Sequence, residues 1–296
     1  FMGITYTVEE ATFDSFKGID IALFAGGSIS KDFAPHAVKA GAVVIDNSSA
    51  FRMDPEVPLV VPEVNPQAIL KHKGIIANPN CSTIIMVMAL KPIYDLAKIK
   101  RVIVSTYQAV SGAGKEGIDE LDAQVREHSE GREMTANILP SASAEKHYPI
   151  AFNLIPQIDV FCDNLYTKEE MKMVNETKKI MEDYEMRITA TTIRVPVYRS
   201  HSESVNIELE KEVDLGAMRE ALAKFPGVTV QDDPSKQEYP MPLYTSEKDD
   251  VYVGRLRRDE SCEKSYNMWV VGDQIRKGAA LNTLQIAETM IKNGWI

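Results

Sequence analysis

The sequence predicts an α/β protein of two domains, in which a doubly wound parallel sheet is joined to an α+β unit with a mostly antiparallel sheet. Three observations support this prediction. The chain has 296 residues, which is more than one small domain needs. Over the first eighty residues short apolar segments alternate with helical ones, as in a parallel sheet. Beyond residue 100, strand-like segments alternate apolar and polar residues, which is typical of an antiparallel sheet with one covered face.

The first domain begins with apolar segments that have the pattern of strands. Residues 4–8 predict a strand already under way, and residues 19–24 predict a buried strand that ends at Gly26-Gly27-Ser28. A helix over residues 31–40 and a strand over residues 42–45 follow. Two more strands are predicted, at residues 59–61 and 74–77. Strand, glycine turn, helix and strand form a βαβ unit, so we predict a doubly wound, Rossmann-like domain that binds a nucleotide.

After Cys81 the pattern changes. A helix is predicted over residues 82–97, and strand-like segments then dominate, at residues 102–110, 188–197, 204–209, 251–256 and 267–271. Two further helices are predicted at residues 168–184 and 215–225, and Thr167 with Glu170 has the spacing of a capping box. The last amphipathic segment, residues 279–292, is predicted to return and pack on the first domain.

Composition and charge exclude several classes of function. The formal net charge is -10 and the pI is about 5.1, so nucleic acid and anionic membranes would repel the chain. No apolar segment approaches the roughly 20 residues of a membrane-spanning helix, and no signal peptide is visible. The three cysteines lie far apart, which favours a reducing cytoplasm over a disulfide framework. No pair has C-x-x-C spacing and the five histidines are scattered, so no metal site is predicted.

Cys81 is a candidate nucleophile. It lies in Asn78-Pro-Asn-Cys-Ser-Thr83, where a strand ends and a long apolar helix begins. Free backbone N–H groups at a helix start stabilise a thiolate, so this position predicts a lowered thiol pKa. A packed structural cysteine is the alternative, although the polar turn around Cys81 is more than such a cysteine needs. On the residues alone, both interpretations stay open.

A second candidate segment is Arg194-Val-Pro-Val-Tyr-Arg-Ser-His201. A thiol nucleophile needs a base, and histidine is the side chain that ordinarily titrates near neutral pH. His201 is predicted to begin a polar turn before the next strand, and a plain surface histidine is its alternative. The other histidines have less support because they lie in helices, in a lysine-rich turn or in a loop: His36, His128, His72 and His147. Arg194, in the same segment as His201, could hold a carboxylate through two parallel hydrogen bonds.

Gln108 ends an apolar strand just before a glycine-rich segment. Residues 112–117 spell G-x-G-x-x-G, the pattern of a dinucleotide-binding turn. We reject that interpretation because the helix after it is followed by no second buried strand. A glycine loop near an active site is the better prediction, and the true phosphate-binding turn is expected before Phe1.

Several ordered motifs resemble those of the aspartate-semialdehyde dehydrogenase family, and most closely the enzymes of Gram-positive bacteria. They lie at residues 46–52, 62–65, 78–83, 107–114, 147–152, 167–179, 194–204 and 278–282. The resemblance implies a truncated dinucleotide-binding domain at residues 1–81 and 275–296, with a catalytic and dimerisation domain at residues 82–274. About fifty residues that the family carries before Phe1, including its glycine-rich turn, are expected to be missing.

The resemblance also assigns roles to single residues. Cys81 matches the nucleophile, His201 the acid/base and Gln108 the residue that orients the acyl-enzyme. Arg194 corresponds to the clamp on the substrate α-carboxylate, and Glu169 to the partner of its amino group. The phosphate site corresponds to Arg52, Asn80 and Lys172. Positions beside the nicotinamide half of NADP correspond to Ala25, Gly26, Gly27, Ser28, Ser111, Gly112, Ala113, Gly114 and Asn282.

The activity implied is NADPH-dependent reductive dephosphorylation of β-aspartyl phosphate to aspartate semialdehyde, in lysine, threonine and methionine biosynthesis. A homodimer or a dimer of dimers is implied as the assembly. Three alternatives are weaker: an enzyme like N-acetyl-glutamyl-phosphate reductase, an inactive paralogue of the family, and a thiol hydrolase. The first leaves Glu169 unexplained, the second leaves the whole set of candidate residues unexplained, and the third needs no dinucleotide domain. We expect Cys81 and His201 to face one another across a cleft between the two domains.

Overall fold

The first sheet of the molecule is parallel and three-stranded. The computed structural model describes residues 3–296, and this sheet consists of β1 (Ile21–Phe24), β2 (Val43–Asp46) and β3 (Ile75–Ala77), in that order. Both strand pairs are parallel, and helix α1 (Ser30–Lys39) connects β1 to β2. The predicted βαβ unit and parallel sheet are therefore confirmed.

Two of the predicted strands differ from the structure. The prediction for residues 4–8 is wrong, because these residues are exposed and form no regular structure. A strand is stable only where its backbone groups pair with a neighbouring strand, and an apolar pattern alone cannot supply that partner. The strand predicted at residues 59–61 is reduced to a single parallel bridge between Leu59 and Ala77.

The second sheet has six strands and is covered by helix α2 (Cys81–Leu96), which follows β3 directly. Its strands are β4 (Ile99–Gln108), β5 (Arg187–Arg194), β6 (His201–Leu209), β7 (Val228–Val230), β8 (Val251–Arg258) and β9 (Ser265–Gly272). Their order is β5-β4-β6-β9-β8-β7. Pairs β4–β5 and β7–β8 are parallel and the other three pairs are antiparallel, so the prediction of a mostly antiparallel sheet is confirmed.

The remaining helices connect or flank these strands. They are α3 (Gly114–Ser129), α4 (Lys168–Ile180), α5 (Leu215–Lys224), α6 (Pro242–Thr245) and α7 (Leu281–Asn293). The predicted capping box at the start of α4 is present, with Thr167 and Glu170 each accepting a backbone hydrogen bond from the other. Among the described residues, no helix is both long enough and apolar enough to cross a membrane.

The largest core lies between α2 and the six-stranded sheet. α2 is continuously apolar from Ile84 to Leu90, and its residues pack against the inward side chains of β6, such as Val205 and Ile207. Asn206 and Glu208 alternate with them and remain accessible, as the sequence pattern predicts. Helix α7 packs on the parallel sheet, where it forms a second core from residues such as Ile45, Ile76, Ile286 and Met290. The predicted return of the last segment to the first sheet is confirmed.

Candidate active site

Cys81 is the first residue of α2 and follows the carboxyl end of the parallel sheet. The Asn78 N–H donates to the Asp46 carbonyl at 2.8 Å, which continues the pairing of β2 and β3 to the start of the turn. The Asn80 side chain then caps α2, because its Oδ1 accepts from the Ser82 and Thr83 N–H groups at 3.0 and 3.2 Å. Cys81 is half-buried, so it is not sealed in an apolar core.

Arg194, Gln108 and His201 lie side by side at one edge of the six-stranded sheet. Gln108 of β4 pairs with Arg194 of β5. On the other side of β4, Tyr107 pairs with Ser202 of β6 in an antiparallel register, so His201 of β6 lies beside Gln108. Residues paired in this way point to the same face of a sheet. Three residues that lie far apart in the sequence are therefore neighbours, on adjacent strands spaced about 5 Å apart.

The face on which these side chains lie is the one that α2 covers. His201 pairs with Gly272, and a Cβ on Gly272 would be 3.0 Å from Ile85 of α2. Ile85 lies about one helical turn after Cys81. The structure therefore brings the sheet-edge residues and the candidate nucleophile to the same side of the sheet. His201 is the first residue of β6, so the prediction that it begins a polar turn is wrong.

The glycine loop predicted near the site lies against these residues. A Cβ on Gly112 would be 2.7 Å from Arg194 Nη1 and 3.2 Å from His201 Cε1. This close approach explains why glycine fits at Gly112. The loop is followed by α3 and then by an irregular segment rather than a buried strand, as expected when the G-x-G-x-x-G pattern is not a dinucleotide turn.

Two buried nitrogen atoms in this group have no hydrogen-bond partner among the described residues. Arg194 is 3% exposed and its Nη1 donates to the Ala109 carbonyl at 2.6 Å, but its Nε is unpaired. His201 is fully buried and its Nδ1 accepts from the Ala109 N–H at 3.1 Å, but its Nε2 is unpaired. A buried unpaired donor costs about 1–3 kcal/mol, so such donors are expected where a ligand supplies the acceptors.

The hydrogen bond to Nδ1 also determines the protonation of His201. Burial, and secondarily the Arg194 guanidinium, hold the pKa of His201 well below its usual value, so the ring is neutral at neutral pH. Because Nδ1 accepts a hydrogen bond, the proton of the neutral ring is on Nε2. In this state His201 is suited to donate a hydrogen bond to an oxygen atom, rather than to take a proton from the thiol.

The electrostatics of Cys81 contradict the lowered thiol pKa predicted from its helix position. Burial raises the pKa of Cys81 to about 12, and the Glu169 carboxylate adds to the effect. Arg52, Arg194 and the Ser82 N–H act in the opposite direction but do not outweigh these causes. The free helix N–H groups are present as predicted, but the sequence could not show the desolvation around them. The thiol is therefore protonated at neutral pH before a ligand binds.

Glu169 is an anion at the centre of a polar cluster. Its Oε1 accepts from Asn80 Nδ2 at 2.9 Å and from Gln108 Nε2 at 3.3 Å, and its Oε2 accepts from Lys172 Nζ at 3.1 Å. Burial alone would raise the pKa of Glu169, but Lys172 and the Asn80 amide lower it further than burial raises it. Lys172 also donates to Asp159 Oδ2 at 3.0 Å. The cluster offers both a carboxylate for an ammonium group and an ammonium group for an anion.

Arg52 is held beside the nucleophile turn by three hydrogen bonds. Its Nε donates to the Asn78 carbonyl at 2.9 Å, its Nη2 to the Asn47 carbonyl at 2.8 Å and its Nη1 to Glu176 Oε1 at 3.2 Å. A guanidinium has five N–H donors, so two remain for a ligand. A phosphate role for Arg52 stays a prediction that this geometry permits.

The residues predicted to hold a dinucleotide lie at the carboxyl edge of the parallel sheet and in the glycine loop. Residues 25–28 follow β1 and lead into α1, so they lie at the carboxyl ends of the parallel strands, where doubly wound folds bind their ligands. Gly27 and Gly114 have φ angles of +65° and +81° and open space where a side chain would be. These residues therefore fit a dinucleotide.

Asn282 is different from the other predicted cofactor residues because its amide is used inside the protein. Its Nδ2 donates to the Val60 carbonyl at 3.0 Å and to Asn78 Oδ1 at 2.7 Å, and its Oδ1 accepts from Lys277 Nζ at 3.0 Å. A direct contact between Asn282 and a cofactor stays a prediction. What the structure shows is a link between Lys277 and the nucleophile turn.

Three buried charged residues near the site are missing from the sequence prediction: Glu176, Glu203 and Lys277. Glu176 could have been found, because it lies seven residues after Glu169 and so on the same face of the same helix. Glu203 shares the face of β6 with His201, since residues two apart point to one side of a strand. Lys277 is buried and its Nζ donates to Glu63 Oε2 at 2.6 Å. No pattern in the sequence distinguishes it from an exposed lysine.

Glu203 makes the stability of the protein depend on pH. It is fully buried, neither oxygen has a partner among the described residues, and burial raises its pKa well above the usual value. A carboxyl with a raised folded-state pKa contributes stability below its unfolded pKa of about 4.3 and loses it as pH rises through the folded value. Glu203→Gln should therefore lose less unfolding free energy than the wild type between about pH 5 and pH 8, as measured by urea denaturation. Glu208→Gln, on the accessible face of β6, should follow the wild type, and parallel curves for all three proteins would refute this assignment.

Comparison with known proteins shows the class to which this fold and site belong. Residues 2–72 match the model of the semialdehyde dehydrogenase NAD binding domain, and residues 90–277 match that of the semialdehyde dehydrogenase dimerisation domain. Together the two matches cover most of the chain: the first includes β1 and β2 of the parallel sheet, and the second includes all six strands of the other sheet. The molecule is therefore a semialdehyde dehydrogenase by fold, with a dinucleotide-binding and a dimerisation domain.

Individual relatives narrow this class. Aspartate-semialdehyde dehydrogenase of Aquifex aeolicus (strain VF5) is 57% identical over 100% of this chain and 86% of its own length. The enzyme of the same name from Bacillus subtilis (strain 168) is 54% identical over 99% of this chain and 85% of its own. A crystal structure of aspartate semialdehyde dehydrogenase II from Vibrio cholerae, complexed with ASA, is 46% identical, with a TM-score of 0.89 over 97% of this chain and 83% of that one. The chain belongs to the aspartate-semialdehyde dehydrogenase family.

Proposed function

We propose that this chain catalyses the reversible, NADPH-dependent reductive dephosphorylation of β-aspartyl phosphate to aspartate semialdehyde, through a thioester on Cys81. The observation that carries the proposal is the row formed by Arg194, Gln108 and His201, on the sheet face whose covering helix begins with Cys81. A nucleophile, an anion clamp and hydrogen-bond donors thus share one face of the sheet. Acyl transfer uses a nucleophile together with donors that stabilise the developing negative charge, and the clamp would select an anionic substrate.

Arg194 and Glu169 would bind the amino-acid part of the substrate. Arg194 is buried and its Nε is unpaired, so a carboxylate there gains a strong charge-assisted hydrogen bond in a dry environment. Glu169 stays ionised in the same cluster and can accept from an α-ammonium group. Because a free α-amino group explains this second contact, the observation favours the aspartyl substrate over an N-acetylated glutamyl one.

Arg52, Asn80 and Lys172 would bind the phosphate group. Arg52 and Lys172 lie near the Asn80–Cys81 turn, and each is already paired with a carboxylate, so their remaining N–H donors would bind the oxygens of the phosphate dianion. Cys81 attacks the acyl carbon, the bond to phosphate breaks, and the thiol proton leaves with the departing phosphate as its monohydrogen form. This route suits a thiol that is protonated before the substrate binds.

His201 and Gln108 would act on the thioester. Residues 25–28 and 111–114 would hold NADPH, which would supply the hydride for reduction of the thioester. The unpaired Nε2–H of His201 would donate to the thioester oxygen as negative charge develops there, and this would stabilise the tetrahedral hemithioacetal on Cys81. Gln108 would orient the acyl group from its place between Arg194 and His201.

The finer properties of the protein follow from the same proposal. We infer a homodimer, or a dimer of dimers, built on the dimerisation domain that residues 90–277 match. Three free, scattered cysteines suit a reducing compartment, so we place the reaction in the cytoplasm. The domain division proposed is residues 1–81 with 275–296 for the cofactor, and residues 82–274 for catalysis and dimerisation.

The experiment that tests this function follows NADPH formation from aspartate semialdehyde and NADP, with and without inorganic phosphate. We expect absorbance at the wavelength of NADPH to rise only when phosphate is present, because phosphate releases the acyl group from Cys81. N-acetyl-glutamate semialdehyde should react at least about tenfold more slowly, since it offers no free ammonium group to Glu169. Equal rates with both aldehydes, or no dependence on phosphate, would contradict the proposal.

A further inference from the structure

We propose that Glu176 is a positioning residue that holds Arg52 and the peptide preceding Cys81 in register, so that phosphate binds beside the thiol. The inference rests on the proposed function, because it concerns the phosphate site of that reaction. Glu176 is 1% exposed and lies on α4, so it is not itself in contact with bulk solvent. Its effect must therefore pass through the groups that it bonds.

Glu176 uses one carboxylate oxygen for each of two partners. Oε1 accepts from Arg52 Nη1 at 3.2 Å, and Oε2 accepts from the Asn80 backbone N–H at 2.6 Å. Asn80 immediately precedes Cys81, and the charge of Arg52 acts directly on the Cys81 thiol. One buried side chain thus fixes both the nucleophile turn and the cation beside it.

Helix α4 accepts two hydrogen bonds from Asn80 in this turn. Glu176 accepts from its backbone N–H, while Glu169 accepts from its side-chain amide at 2.9 Å. The same Asn80 side chain caps α2 through Oδ1. Glu169 also accepts hydrogen bonds from Gln108 and Lys172, whereas the hydrogen bonds of Glu176 to the described residues come from Arg52 and the Asn80 backbone. The two glutamates therefore have different tasks, ligand contact for Glu169 and positioning for Glu176.

The two hydrogen bonds require two acceptor oxygens at this position. Burial raises the pKa of Glu176, the Glu169 carboxylate adds to the rise, and Arg52 with the Asn80 N–H offsets it only in part. Both partners are donors, so a carboxylate can accept from each of them at once. A glutamine would turn an NH₂ group towards one of these donors, and either Arg52 or the Asn80 peptide would have to move.

The test compares Glu176→Gln with Glu170→Gln, its matched control. Glu170 is a buried glutamate on the same helix, and like Glu176 it uses both carboxylate oxygens. One accepts from the Thr167 backbone N–H at 2.7 Å and the other from the Thr192 backbone N–H at 3.0 Å. Both substitutions should lower stability. We expect Glu176→Gln alone to raise the KM for phosphate by about tenfold or more while the KM for the semialdehyde changes less than about threefold. Similar phosphate KM values for the two variants would overturn the inference.

A second readout needs no turnover. In a background of Cys162→Ala and Cys262→Ala, Cys81 is the thiol left for iodoacetamide, and at alkaline pH, where part of the thiol ionises, inorganic phosphate should slow its alkylation in the wild type and in Glu170→Gln. In Glu176→Gln the protection by phosphate should require at least about tenfold more phosphate. If Glu176→Gln fails to fold, Glu176→Asp, which keeps the charge on a shorter side chain, should show the same loss of protection in part. Full protection in a folded Glu176 variant would refute the inference, whereas a wild type without phosphate-dependent NADPH formation would refute the proposed function instead.

Discussion

Replacement of Cys81 with alanine is expected to lower kcat by at least about four orders of magnitude, because no other group can carry the thioester. Alanine retains the Cβ atom of Cys81, which packs closely against Gly278. A Cβ added at Gly278 would lie only 2.9 Å from it. The fold should therefore be unchanged, and circular dichroism with urea denaturation should give wild-type curves. The residual rate can be measured as the NADPH formed after long incubation at high enzyme concentration.

The other two cysteines provide the control for this substitution. Cys162 is half-buried and Cys262 is exposed, and neither lies among the candidate active-site residues. Cys162→Ala and Cys262→Ala should each keep kcat within about twofold of the wild type. Activity above a few per cent in Cys81→Ala would remove Cys81 from the role of nucleophile.

Arg194→Lys should lower kcat/KM for aspartate semialdehyde by about tenfold or more. Lysine keeps the positive charge but loses the planar fork that can bind a carboxylate through two parallel hydrogen bonds. The substitution also removes the donor to the Ala109 carbonyl, which helps to keep the backbone beside His201 in place. Steady-state kinetics with the semialdehyde varied at saturating phosphate would measure the change.

Two other substitutions serve as comparisons for Arg194→Lys. Arg219→Lys, which changes an ion pair between helix α5 and Asp232 outside the candidate active site, should leave both KM values unchanged. Lys172→Ala should instead raise mainly the KM for phosphate, because Lys172 belongs to the proposed phosphate site. If Arg194→Lys and Lys172→Ala change the same kinetic parameter equally, the division into a carboxylate site and a phosphate site is wrong.

Local structure could be predicted from the sequence where it depends on local periodicity. The βαβ unit at the start and the long apolar helix after Cys81 follow from spacing, and the structure shows both within a few residues of the predicted bounds. The strand predicted at residues 188–197 ends instead at Arg194, because pairing with β4 stops at Gln108. Strand order β5-β4-β6-β9-β8-β7 could not be predicted, since it depends on contacts between segments that lie far apart in the chain.

The candidate site could be predicted as a set of residues but not as a set of chemical states. Cys81 was recognisable from its turn and Arg194 with His201 from their shared segment. The raised pKa of the Cys81 thiol and the proton on Nε2 of His201 depend on burial and on one backbone N–H from Ala109, which no motif encodes. Glu176 needed the three-dimensional contact with Arg52 before its role could be inferred.

The row of Arg194, Gln108 and His201 also governs where the chain can change in length. Each of these side chains is placed by the hydrogen-bond register of its strand, so one residue inserted into β4 would turn Gln108 to the opposite face of the sheet. The irregular loop at residues 141–146 is mostly exposed and pairs with no strand of either sheet, so several residues could be added there without moving the site. We therefore expect the site to tolerate insertions in this loop but not in β4, because strand register preserves the spacing of the candidate catalytic groups.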